Sequence, residues 1–158
     1  VIKHYFEKSP ELKASIHEVR KYHNQILLEL FEEDKHPVFR AVNVHFEELD
    51  YFLSHNKSPN YNFVYDQVVS YGEIISTTIV SHYFNYSGLK NNWLDVRNFI
   101  KTDTSYRDAT VDWELTKELI SKNVNNIVCI NYDAPNQYHF LNMMLQFIMC
   151  HFLKIAFI

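Results

Sequence analysis

Glycine is nearly absent: the 158 residues hold two, Gly72 and Gly88. A glycine-rich phosphate cradle needs several close together, because its backbone amides must approach the phosphates. This chain cannot build one of its own. Cysteine is as scarce. Cys129 and Cys150 form neither a metal spacing nor a disulfide framework, so a reducing, cytoplasmic setting is expected. Positive charge is short too, with 15 Lys and Arg against 19 Asp and Glu and a net charge of -4. A nucleic-acid binder would carry a basic face, so no nucleic-acid partner is expected. No signal-peptide pattern opens the chain. Its methionines (Met143, Met144, Met149) lie late and Val1 stands first, so an internal piece of a longer protein is expected. Repeats and low-complexity tracts are lacking.

Apolar residues, in contrast, are plentiful at 47%, with 16% aromatic, enough to bury a core in one domain. Ser9-Pro10-Glu11 reads as a helix start, with Ser as N-cap, Pro at the first position and an acid in the first turn. From there Leu12, Ile16, Val19, Ile26, Leu27, Leu30 and Phe31 recur at three or four, with His23 filling one gap, to an end near Asp34 before Pro37. Val38, Val42, Phe46, Leu49, Phe52 and Leu53 repeat the pattern to about Ser54. The short link makes the pair an antiparallel hairpin. His55 to Asn62 is a loop by composition. A third helix covers Phe63 to Tyr86, with Val68, Ile75, Ile79 and Tyr83 on its apolar side, and stops at Ser87-Gly88.

Beyond it, "NNWLDV" reads as a buried strand around Trp93 to Val96, "NFI" as a second, and "NIVCI" as a third. Asp112 caps a helix through Val124, with Glu118 and Lys122 as an i,i+4 pair. Alternating helices and strands predict an α/β unit. The apolar stretch Tyr138 to Ile158 is nearly membrane-spanning in length. His139, Asn142, Gln146, His151 and Lys154 interrupt it, so a buried or foreign tail is expected and no membrane partner.

Nine histidines suggest no metal site. His17 and His23 are six apart, where a helical metal pair needs four, and His45 has no helical partner. Cys129 lies in an apolar run with no activating charge, and reads as packing. Asp95 and Arg97 flank Val96 and either pair with each other or line a cleft. "TDTSYRD" (Thr102 to Asp108) is a solvated loop or touches a polar ligand. Gly72-Glu73 is the most pointed feature, since glycine costs about 1 kcal/mol in a helix interior. Either another element packs close at Gly72, with Glu73 in water, or Gly72 opens room for a small ligand whose cation meets Glu73.

"SYGEIIST" (Ser70 to Thr77), "WLDVRNFIKTD" (Trp93 to Asp103) and "ATVDWELT" (Ala109 to Thr116) resemble, in order and spacing, the catalytic domain of aspartate kinases of the amino acid kinase family. The likeness covers 63–124, and the hairpin 9–54 is similar to the helical insertion that these enzymes carry. It implies a partial carbamate-kinase-like three-layer α/β fold over 1–130 with that hairpin inserted, and a separate apolar tail over 131–158. It also implies phosphorylation of the side-chain carboxylate of L-aspartate by Mg-ATP, the first step toward lysine, threonine and methionine, in an enzyme that can form homo-oligomers. In the family the glutamate of the Gly-Glu pair meets the amino group of aspartate. That role maps onto Glu73, with Gly72 giving the amino acid room. The family's opening Lys-Phe-Gly-Gly-Thr-Ser and later Gly-Phe-Ile-Gly segments have no counterpart here, so the chain alone is expected to be inactive. The rival reading is a non-enzymatic interaction module that uses the hairpin and the tail.

Overall fold

The computed structural model describes residues 1–32 and 35–124, in two units, Val1–Leu94 and Asp95 onward. The first unit is helical. Helix α1 (Ile2–Phe6), α2 (Leu12–Leu30), α3 (Pro37–His55) and α4 (Tyr61–Tyr86) follow one another in the chain. Each boundary has a local cause. Ser9 is not the N-cap read from the sequence: its Oγ accepts the Glu11 N–H at 3.2 Å in a turn before the helix, and α2 begins at Leu12 with Glu11 at the cap position and no side-chain cap bond. Pro37 opens α3, and the His36 ring, through Nδ1, accepts the Val38 N–H at 3.2 Å. Asn60 caps α4 through the Phe63 N–H at 3.1 Å. At the far end Gly88 takes φ +86°. The Gly88 N–H reaches the Asn85 carbonyl and the Leu89 N–H reaches that of Phe84, a Schellman stop that a left-handed glycine permits.

Helices α2 and α3 form the expected antiparallel hairpin. Arg20 bonds Asp50 at 2.9 Å and Asn43 at 3.4 Å across it, and its guanidinium lies 5.1 Å from the Phe46 ring centre. Helix α4 runs back along α3: His36 meets His82, His45 meets Thr78, and Phe52 meets Phe63. The apolar stripes converge on one core of Ile16, Leu27, Phe31, Val38, Val42, Phe46, Leu49, Leu53, Ile75 and Ile79. Phe46 and Val38 are fully buried there. Helix α1 closes one end, where the Tyr5 hydroxyl donates to the Asn56 carbonyl at 2.9 Å.

The second unit holds a 3₁₀ turn (Val96–Asn98) and α5 (Trp113–Val124). Asp112 caps α5 as read from the sequence, accepting the Leu115 N–H at 3.0 Å, and Lys122 pairs with Glu118. The bridge Thr102–Val111 closes the loop between them. Thr116, buried, accepts the Lys101 N–H at 3.0 Å.

The α/β expectation is therefore overturned. Among the described residues that single bridge is the only β pairing, and no sheet of a three-layer amino acid kinase fold is present. Apolar runs become strands only when partners complete their ladders. After Trp93 the backbone bonds locally instead: the Asp95 carbonyl accepts the Asn98 N–H and the Val96 carbonyl accepts those of Phe99 and Ile100. The Asp95 carboxylate accepts the Arg97 N–H at 3.0 Å and winds the chain into a turn, and the amides of "NFI" bond back into that turn rather than to a neighbouring strand. The predicted strand "NIVCI", both cysteines and the tail lie outside the described residues. Among those described, no helix is long and apolar enough to cross a membrane.

Candidate functional site

Helix α4 turns Val68, Tyr71, Ile75 and Ile79 toward the core. Gly72 falls outside that set and is exposed. A Cβ placed on it would meet nothing within 4 Å. The packing explanation for this glycine thus fails in the described unit: no neighbour requires its small size. Glu73, next to it, is half-exposed, and among the described residues it takes part in no ion pair. Among the described residues, the result is a carboxylate without an ion-pair partner beside open space on a regular helix.

One turn on, the helix is tied down from outside. Glu73 and Thr77, four apart, share a face. The Trp93 indole N–H donates to the Thr77 hydroxyl at 3.0 Å, and that hydroxyl donates to the Glu73 carbonyl at 2.9 Å or to that of Ile74 at 3.1 Å. The Trp93 ring centre also stands 5.8 Å from that of His45 on α3. His45 has Thr78 at 3.3 Å from Nε2 and Glu48 at 3.2 Å from Nδ1. A neutral His45 with its proton on Nδ1 donates to the carboxylate and accepts the Thr78 hydroxyl at Nε2. Sequence periodicity left His45 without a partner; its partners lie at i+3 and 33 residues away.

The other singled-out residues fall elsewhere. His17 is exposed, while His23 packs its ring 5.7 Å from that of Phe46. Asp95 and Arg97 pair with each other, Nε to Oδ1 at 2.9 Å and a terminal nitrogen to Oδ2 at 2.6 Å. That is the pairing read from the sequence, though a 3₁₀ turn makes it and not strand alternation. In "TDTSYRD" the Asp103 carboxylate accepts the Ser105 N–H at 2.8 Å. That bond holds its carboxyl below the usual carboxylate range, against desolvation, with Thr110 assisting. An open groove of about 660 Å³ runs along α3 past Tyr51, His55 and Tyr71. Tyr71 adjoins Gly72, but neither Gly72 nor Glu73 lines the groove.

Mg-ATP, which the resemblance implies, does not fit these residues. Gly72 is helical and Gly88 ends a helix, so neither belongs to a phosphate cradle. Among the described residues no three His, Cys, Asp or Glu side chains converge to hold a metal. No phosphoryl-transfer step follows from them. Comparison with protein-family models, with curated proteins and with solved structures finds no match to this chain.

Proposed function

We propose that this chain carries the part of an aspartate kinase that holds L-aspartate, and that alone it transfers no phosphoryl group. The intact enzyme would phosphorylate the side-chain carboxylate of aspartate with Mg-ATP in the cytoplasm, toward lysine, threonine and methionine. The motifs "SYGEIIST", "WLDVRNFIKTD" and "ATVDWELT" support the family reading. The observation that carries the site is the pairing of Glu73, a half-exposed acid in no ion pair among the described residues, with open space at Gly72.

The chemistry is one of orientation. Phosphoryl transfer depends mainly on positioning and charge neutralisation. An acid that grips the substrate ammonium aims the carboxylate nucleophile without placing negative charge at the transferring group. Titration of the isotopically labelled chain with L-aspartate, and separately with succinate, tests this, because succinate has both carboxylates but no ammonium. Backbone shifts at Gly72 to Ile74 are expected with aspartate alone and are lost in Glu73→Gln. Equal responses to both compounds, or none to aspartate, overturn the reading and leave the hairpin as an interaction module.

A further inference from the structure

We propose that Trp93 is a positioning residue for Glu73: its indole N–H, relayed through the Thr77 hydroxyl, holds the helical turn that carries the acid. The inference rests on the reading of Glu73 as the ammonium contact.

The relay is continuous. The indole donates to Thr77 at 3.0 Å and the Thr77 hydroxyl donates to the Glu73 carbonyl at 2.9 Å. Each bond polarises the next, so the two act as a unit. Indole N–H is donor only and the threonine hydroxyl both accepts and donates, which fixes the direction toward the carbonyls of Glu73 and Ile74. Trp93 is itself held. Its ring stands against His45, which is bonded to Thr78 on the next position of α4.

The chain leading to Trp93 is pinned to the same helix. Asn91 donates from Nδ2 to the Ser81 carbonyl at 3.1 Å and accepts the Ser81 hydroxyl at 2.6 Å. The clasp therefore joins the segment after α4 to the turn bearing Glu73, and through His45 to α3. A side chain set to meet an ammonium gains affinity when its backbone turn is already ordered, because less freedom is lost on binding.

Hydrogen exchange on the full chain tests the clasp without any ligand. Trp93→Phe keeps the ring and removes the donor, and Thr77→Val keeps the shape and removes the relay. Each should speed exchange of the amides of Ile74 to Thr77 about fivefold, the weight of one hydrogen bond. The double variant should add nothing further, Thr77→Ser should restore protection, and the α3 turn at Val42 to Phe46 should not change. L-aspartate, titrated into the same proteins, should bind about fivefold more weakly in Trp93→Phe and Thr77→Val than in Thr77→Ser. Unchanged exchange in Trp93→Phe, or additive effects in the double variant, overturns the clasp. Lost protection with aspartate affinity intact overturns the positioning role. The expected exchange pattern with no aspartate binding by the unaltered chain upholds the clasp and overturns the aspartate reading alone.

Discussion

Gly72→Ala should make the protein more stable and a poorer ligand for aspartate. Glycine in a helix interior costs about 0.8–1 kcal/mol relative to alanine, through the extra freedom of the unfolded chain and the bare backbone. A tight neighbour would cancel that gain. Among the described residues there is none, since the added Cβ finds nothing within 4 Å, and Gly72 does not take positive φ. Nearly the whole propensity difference should therefore appear as stability. For a unit spanning Val1–Leu94, that is a rise in Tm of about 3–6 °C. The assay is thermal and urea unfolding followed by helical circular dichroism. The urea slope should stay unchanged, because no surface is newly buried. The same variant should then weaken L-aspartate binding, because the methyl occupies the room beside Glu73. A destabilised Gly72→Ala would refute the placement of Gly72 in open space. A stabilised variant that binds aspartate as well as the parent would refute the claim that the room serves the ligand.

Two further outcomes probe the scaffold. Phe46 is fully buried, so Phe46→Ala should cost about 3–5 kcal/mol; a loss under about 1 kcal/mol in urea unfolding would contradict its place at the centre of the core. His82 has its pKa lowered, first by burial and then by the facing charge of His36. The unfolded chain therefore takes up this proton first as pH falls. The stability linked to neutral His82 is complete above about pH 6.5. It is lost as acidity carries the chain through the lower folded value. Urea midpoints at about pH 7.5 and about pH 5.5 should differ less in His82→Phe than in the parent; equal differences would remove His82 from the linkage.

Much of the helical unit was legible in the residues. Ile16, Leu27, Val38, Val42, Phe46, Leu49, Leu53, Ile75 and Ile79 stand at helical spacings and all enter the core. The stop at Gly88 and the cap at Asp112 were equally plain, because their chemistry is local. Val19 shows the limit. It keeps the period yet is 40% exposed, while the next residue, Arg20, sets its guanidinium over the Phe46 ring. Gly72 and Glu73 could be singled out by type and position. Thr77, Thr78, His45 and Trp93 could not, since a hydrogen bond between residues 16 or 33 apart in the chain leaves no periodic mark.

The strands failed for a reason that bears on the site. An apolar run after a helix becomes a strand if its N–H and C=O groups find a neighbouring strand. At Asn91 both are already taken by one side chain: the Asn91 N–H donates to Asn85 Oδ1 at 3.0 Å, and the Asn91 carbonyl accepts from Asn85 Nδ2 at 3.1 Å. A carboxamide on α4 thus supplies the donor and acceptor that a paired residue in a ladder would. Two residues on, the Trp93 indole reaches Thr77 on the same helix. The segment is spent on α4 before Asp95 turns it. What the sequence presents as the entrance to a sheet acts in this unit as a strap along the Gly-Glu helix, and it leaves Gly72 and Glu73 open just beyond its reach.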